Sequence, residues 1–151
     1  MLTTPEIKVI TVRESESTYF TRTPADIKNI WENEITKAAW YDNEKEMMVV
    51  FCVNCKNRIK SYSLITLGIL DESLAHPREV FKPAIVNSAK AIILVHNHPS
   101  NETNPSAEDI RMTKQMVEAS KIIGIPIMDH VIVGKDNITS MREIGVVSFN
   151  V

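Results

Sequence analysis

Apolar residues along this chain fall into runs typical of strands and runs typical of helices. Nearly continuous apolar runs rich in β-branched residues predict buried strands over Met47 to Val53, Ala91 to His96 and Ile127 to Val133. A further strand is predicted over Ser61 to Leu67, which returns from the first through a turn at Asn54 to Asn57. The pattern therefore predicts a largely buried sheet that contains at least one hairpin.

Helical spacing of apolar residues predicts three helices between these strands. The first begins at Thr23-Pro24 and runs to about Trp40, and the third covers Ala107 to about Ile123. The second opens at Pro77, and we expect Pro83 to kink or split it because proline removes a backbone hydrogen bond. Weaker strands are predicted over Glu6 to Val12, which would form a sheet edge, Ile138 to Met141, and Val146 to Val151. Interleaved strands and helices favour an α/β fold, a mixed β-sheet flanked by helices.

Composition and charge narrow the class of protein. The chain has 151 residues, 44% hydrophobic and 24% charged, as expected for one globular domain. A net charge of −2 gives no strong nucleic-acid signal, although it does not exclude a local basic patch. The start MLTTPEIKVITV lacks the pattern of a signal peptide, and no run reaches the roughly 18 apolar residues of a membrane span. We therefore expect a cytoplasmic protein without membrane contact.

Two cysteines, Cys52 and Cys55, form a C-x-x-C motif. The motif alone cannot supply four zinc ligands, and at strand spacing the two side chains point to opposite faces. We expect reduced thiols with a structural role, in keeping with the cytoplasm.

The residues that carry chemistry gather at the end of the central apolar run. His96 and His98 stand at i and i+2, so that extended backbone projects both imidazoles from one face. Pro99 ends the strand, Ser106 begins the next helix as its N-cap, and Asp109 lies in the first turn. Two histidines and one carboxylate suit a catalytic zinc with an open position. Taken singly, H-x-H is a weak signal, and Ser-x-x-Asp is most often only a capping box.

The joint spacing resembles the JAMM (MPN-plus) metalloprotease motif. The longer string HNHPSNETNPSAEDI, with a later DHVIVG, resembles the RadC-type branch of that superfamily over roughly residues 25 to 145. This resemblance implies the cytidine-deaminase-like (JAB/MPN) mixed sheet in a single domain, with residues 1–22 as N-terminal strand and lead-in and 23–151 as core. RadC-like proteins are often called DNA repair proteins, and full-length members carry a helix-hairpin-helix segment for which this chain lacks room.

The resemblance also implies roles for individual residues. In JAMM enzymes a glutamate that precedes the strand after the first helix is the general base, and Glu46 occupies that place here. Glu79, in a PREVF string that also looks RadC-like, competes for this role, although the helix dipole alone explains an acid there. Ser106 would help to stabilise the oxyanion. Zinc held by the three ligands would lower the pKa of bound water from about 15.7 toward about 7.

Three further residues complete the sequence-based picture. Asp129 and His130 either orient a ligand or line the cleft, with satisfied buried polar groups as an equal alternative. Asn101 replaces a glycine that is usual in the RadC-type loop. Because asparagine tolerates positive φ, the turn is expected to survive, and only the fit of the loop to a substrate changes.

Three hypotheses follow for function. The first is a zinc-dependent metallohydrolase that cleaves a peptide or isopeptide-like amide in a protein or peptide substrate. The second is a non-enzymatic RadC-like interaction module associated with DNA repair or mobile-element maintenance. A third and weaker hypothesis is metal-dependent action on another bond, such as a phosphodiester. The sequence leaves the substrate and the oligomeric state open.

Overall fold

The sheet is mixed, as the sequence predicted. A computed structural model of the chain describes residues 10–11, 18–68 and 75–150. Within these residues the strands lie in the order β1-β3-β2-β4-β5-β6, with β4 and β5 parallel and the other neighbours antiparallel. The strands are β1 (Ile10–Thr11), β2 (Met47–Val53), β3 (Ile59–Leu67), β4 (Ala91–Asn97), β5 (Ile127–Val133) and β6 (Ile138–Ser140).

Helices cover both faces of the sheet. They are α1 (Pro24–Asn33), followed by a short 3-10 turn (Ile35–Lys37), α2 (Pro77–Val86) and α3 (Ala107–Ile123). Buried residues of α1 belong to one hydrophobic core, whereas those of α2 and α3 belong to a second core. Alternate residues of β2 enter the two cores, for example Val49 and Val50. Burial on both faces explains why β2 reads as a continuous apolar run rather than an alternating one.

Several predicted elements are confirmed at their predicted bounds. Met47–Val53, Ala107–Ile123 and Ile127–Val133 form the expected strand, helix and strand. Of the predicted first strand, Ile10–Thr11 pairs with β3 at the edge of the sheet, and its other residues lie outside the described part of the chain. Residues 71–74 of the predicted loop before α2 also lie outside it.

Other predicted bounds were wrong, each for a local reason. The first helix ends at Asn33 rather than near Trp40, because the chain tightens into the 3-10 turn that buries Ile35. Helix α2 is not split at Pro83 but continues through it to Val86, and Pro83 is buried. Residues 146–150 form no strand and instead follow a bend.

The topology brings four segments to one end of the sheet. The carboxyl end of β4 lies beside the start of β2 on one side and the end of β5 on the other. Helix α3 begins shortly after β4 ends, and its buried side packs on the second core. In the ranges that the structure describes, no helix is both long and apolar enough to cross a bilayer.

Candidate metal centre

Three side chains predicted as metal ligands converge at this end of the sheet. The ligand atoms of His96, His98 and Asp109 all lie within 4.8 Å of one another. The two Nε2 atoms are 2.9 Å apart, and the Asp109 oxygens lie 3.5 Å from His96 Nε2 and 3.4 Å from His98 Nε2. His96 is fully buried and Asp109 is 6% exposed, so that the cluster is largely shielded from water.

A capping box at the start of α3 places the aspartate. The Ser106 hydroxyl accepts a hydrogen bond from the Asp109 amide at 3.0 Å, and Asp109 Oδ2 accepts one from the Ser106 amide at 2.9 Å. Burial would raise the pKa of the Asp109 carboxyl, but hydrogen bonds from His96 and His98 outweigh burial and hold it well below its usual range. The capping box and the ligand role therefore coexist, because the cap directs an ionised carboxylate at both imidazoles.

A buried chain of hydrogen bonds fixes the tautomer of His96. The Thr113 hydroxyl donates to the Asp109 carbonyl at 2.6 Å, so it accepts from His130 Nδ1, also at 2.6 Å. Burial lowers the pKa of His130, which keeps the ring neutral and leaves its Nε2 as an acceptor. His96 Nδ1 then donates to His130 Nε2 across 2.6 Å. This assignment from the network leaves a lone pair on His96 Nε2.

His98 is oriented by the loop that follows it. Its Nδ1 lies 2.6 Å from the carbonyl of Glu102 and donates to it, so a neutral ring also carries a lone pair on Nε2. The hydrogen bond to Asp109 is the largest influence on the pKa of His98 and raises it, with smaller upward contributions from the Glu102 carbonyl and the charge of Glu46. Burial acts in the opposite direction but does not prevail. A proton or a metal ion is thus favoured at this nitrogen.

The geometry fits a tetrahedral metal site. Metal–ligand bonds of about 2.0 Å at tetrahedral angles separate ligand atoms by roughly 3.3 Å. The separations from His96 Nε2 to Asp109 Oδ1, 3.5 Å, and from His98 Nε2 to Asp109 Oδ2, 3.4 Å, are close to this value but involve different oxygens, so the carboxylate would turn to bring one oxygen to the metal. The 2.9 Å between the imidazole nitrogens is slightly shorter. Imidazole and carboxylate are ligands that zinc accepts. These residues could therefore hold a zinc ion with little rearrangement.

The two glutamates considered as general base occupy different places. Glu46 is partly buried immediately before β2, and its charge acts on His98. Glu79 is exposed in the first turn of α2. No described hydrogen bond or ion pair links Glu79 to the three ligands, and the helix dipole accounts for its position. Glu46 thus lies within electrostatic range of His98, and its role as general base stays a prediction.

Asp129 and His130, the first two residues of the later DHVIVG string, have different roles. His130 contacts His96 directly, as described above. Asp129 instead accepts hydrogen bonds from the His130 amide at 2.7 Å, the Arg142 amide at 3.1 Å and the Ser140 hydroxyl. Burial raises the pKa of the Asp129 carboxyl in spite of these donors. Asp129 is therefore a satisfied buried polar group that joins β5 to the turn after β6.

The loop after His98 is held against the β5–β6 turn. Asn101 adopts φ of 66°, so the prediction that asparagine tolerates the left-handed conformation here is confirmed. Its Oδ1 accepts from the Asp136 amide at 2.9 Å, and its carbonyl accepts from the Asn137 side chain at 3.1 Å. A Cβ on Gly134 would lie 2.6 Å from Asn101 Oδ1, so the close approach requires glycine.

Sequence reasoning missed two contributors to the centre. Thr113 was given no role from the sequence, yet its hydroxyl links Asp109 to His130. Its position one helical turn after Asp109 was the available signal. Asn97, which stands between the two histidines, was given no role, although its side chain bonds to the segment around Glu46.

These observations define the class of protein. It is an α/β domain with a site of two histidines and one aspartate at a strand–helix junction. The chain belongs to the RadC-like JAB domain family, whose model matches residues 8–146. This match confirms the family and the JAB/MPN type of fold that the motif indicated.

Curated relatives support the same family. A UPF0758 protein of Caldanaerobacter subterraneus is 44% identical over 126 residues, which are 83% of this chain and 52% of the relative. A UPF0758 protein of Methanosarcina barkeri is 41% identical over 106 residues, which are 70% of this chain and 46% of the relative. The chain thus spans about half the length of the curated relatives it matches.

Proposed function

We propose that this domain is a zinc-dependent metallohydrolase that cleaves a peptide or isopeptide-like amide. One observation carries the proposal: Nε2 of His96 and Nε2 of His98 lie 2.9 Å apart, beside the Asp109 carboxylate. When both rings are neutral, their Nε2 lone pairs converge with the carboxylate, and a metal cation bound between the three groups would relieve their repulsion. Three ligands leave zinc one open position for chemistry.

The residues around the ligands support hydrolysis. A bound zinc would act as a Lewis acid and lower the pKa of a water molecule toward about 7. Glu46 would take the proton of the attacking water on its carboxylate and pass it to the nitrogen of the leaving amine. Because the Ser106 hydroxyl accepts from the Asp109 amide, its own proton can be donated to the oxyanion that develops on the substrate carbonyl.

A cleft beside His98 supports a substrate of peptide size. Its volume is about 400 Å³, within the range of ordinary ligand sites. Trp31, Tyr41, Pro99 and Val133 contribute apolar surface to its lining. An apolar side chain next to the scissile amide would suit such walls.

The test combines metal analysis with a cleavage assay. Purified wild-type protein should hold zinc near one equivalent, and His98→Ala should hold none. His76→Ala is a matched control, because this histidine caps α2 and bonds to the Arg78 amide. Incubation with a peptide library, read by mass spectrometry, should reveal cleavage by the wild type and none by zinc-loaded Glu46→Gln.

Retention of zinc by His98→Ala would remove the proposed centre. Zinc uptake without any cleavage by the wild type would favour the interaction module that the sequence left open.

We also propose a reducing, cytoplasmic setting, supported by the free thiols of buried Cys52 and exposed Cys55.

A further inference from the structure

The inner strands β2 and β4 stop pairing beside the candidate centre. Their backbone pairing ends at Met48 and His96. One residue further along, Met47 still pairs with β3, and Asn97 still pairs with β5. Each strand therefore keeps its other neighbour while the two strands separate from each other. The separation occurs directly beside Glu46 and His98.

The side chain of Asn97 spans this separation. Its Oδ1 accepts from the Met47 amide at 2.7 Å, and its Nδ2 donates to the Lys45 carbonyl at 2.9 Å. These two hydrogen bonds, the Asn97 clamp, hold the residues on both sides of Glu46. The Glu46 carbonyl in turn accepts from the Gly68 amide at 2.8 Å. The backbone of Glu46 is thus fixed relative to β4.

The clamp needs the chemistry of an asparagine side chain. One end must accept and the other must donate, at the length of a short amide. Aspartate offers only acceptors when ionised, and alanine offers neither group. Asn97 is 6% exposed, so a Met47 amide that lost this partner would be left buried without one.

We propose that Asn97 is a positioning residue that sets the distance between the Glu46 carboxylate and the metal ligands. This inference rests on the proposed function, because it assigns Glu46 to the centre. The residue between the two histidine ligands thereby joins the ligand strand to the segment that bears the base. Loss of the clamp should displace Glu46 while all three ligands remain.

The experiment uses the cobalt(II)-loaded protein, without any substrate. The measured quantity is the pH midpoint of the visible absorption change. Glu46→Gln should lower this midpoint, because a nearby carboxylate disfavours loss of a proton at the site. Asn97→Ala should lower it by roughly half as much or more, and should add nothing in the Glu46→Gln background.

Controls separate positioning from general loss of stability. Asn87→Ala also removes an asparagine that bonds to a backbone carbonyl, that of Pro83 at 2.7 Å, and should leave the midpoint unchanged. If Asn97→Ala folds poorly, Asn97→Asp keeps the acceptor for Met47 and loses only the donor to Lys45. Measuring Asn97→Asp with and without Glu46→Gln separates the effect of displacing Glu46 from the effect of the added negative charge.

The outcomes distinguish this inference from the proposed function. An Asn97→Ala shift that is absent, or equal in both backgrounds, overturns the positioning role while the metal site stands. A Glu46→Gln variant that binds cobalt with an unchanged midpoint removes Glu46 from the centre and overturns the inference. Failure of the wild type to take up cobalt or zinc overturns the metallohydrolase and the inference together.

Discussion

At the residue scale, protonation governs the candidate centre. His98 has a raised pKa because it bonds to Asp109, whereas buried His130 stays neutral because its pKa is lowered. The two histidines thus differ in what they do with a proton. In the proposed function, His98 would lose its proton when a metal ion binds, whereas neutral His130 orients His96 through a hydrogen bond.

Metal affinity should fall as the pH is lowered. Because metal and proton compete for Nε2 of His98, and its pKa lies above 6.5, affinity should drop by about tenfold per pH unit below that pKa. Competition with a chelator from about pH 8 to about pH 5.5 measures the slope. Asp109 stays ionised over this range, so a flat profile would contradict the assignment of His98.

In the metal-free protein, lowering the pH should instead stabilise the fold. A raised folded pKa means that protonated His98 stabilises the fold below its unfolded pKa. This contribution is lost as the pH rises through the folded pKa of His98.

Thr113→Val should weaken both stability and metal binding. The change leaves His130 Nδ1 without its acceptor in the core, which should lower the free energy of unfolding by about 1–3 kcal/mol. Freed from this bond, His130 no longer fixes the tautomer of His96, and metal affinity should fall by about tenfold.

Thr36→Val is the matched control, because its hydroxyl also bonds to a carbonyl four residues earlier but at an exposed position. It should change stability by less than about 0.5 kcal/mol. Urea unfolding of the metal-free proteins and chelator competition give the two readouts. Equal effects of Thr113→Val and Thr36→Val would contradict the tautomer argument.

At the scale of secondary-structure elements, two helices begin with the same motif, a capping box. Thr23 and Asp26 form a capping box at α1, and Ser106 and Asp109 form one at α3. Only the second box lies against imidazoles. The same local structure therefore caps α1 and, in α3, both caps the helix and directs the Asp109 carboxylate toward the candidate centre.

Ser106→Ala and Thr23→Ala should lower stability alike but differ in metal binding. Each loses its N-cap hydroxyl, at a cost of about 1 kcal/mol in the free energy of unfolding. Ser106→Ala also loosens the first turn that carries Asp109, so its zinc affinity should fall, whereas that of Thr23→Ala should not. Thermal unfolding and zinc titration of both variants provide the comparison. Unchanged zinc affinity in Ser106→Ala would show that the cap does not place the ligand.

At the scale of the whole molecule, the centre lies at one end of the strands that separate the two cores. β2 and β4 separate the core on α1 from the core on α2 and α3, and the ligands lie near the start of β2 and the end of β4. A metal ion there would contact groups from one strand and from α3. Binding should therefore stabilise the complete fold.

Zinc should raise the melting temperature. At about 100 times the dissociation constant it adds about 2.7 kcal/mol, which for a chain of this size corresponds to roughly 5–10 °C. A chelator should reverse the shift, and His98→Ala should show none. Scanning calorimetry with and without zinc measures it. A shift of equal size in His98→Ala would place the binding elsewhere.

The sequence predicted local features better than it predicted contacts between distant segments of the chain. Met47–Val53 and the cap at Ser106 were readable because their signals lie within a few neighbouring residues. The contacts of His130 with His96, and of Asn97 with Met47, join distant segments, and only the strand order brings them together. The early end of α1 was also not predicted, and it coincides with a 3-10 turn in which Ile35 is buried in the core.

All three ligands lie on one strand–loop–helix unit, from the start of β4 to the end of α3. Short separation along the chain keeps the entropic cost of closing this unit low. Met47 on β2 and His130 on β5 are among the residues that hold it from the two flanking strands. Because none of the three ligands comes from β1 or β3, substitutions in those two strands can change the surface that other molecules meet without replacing a ligand.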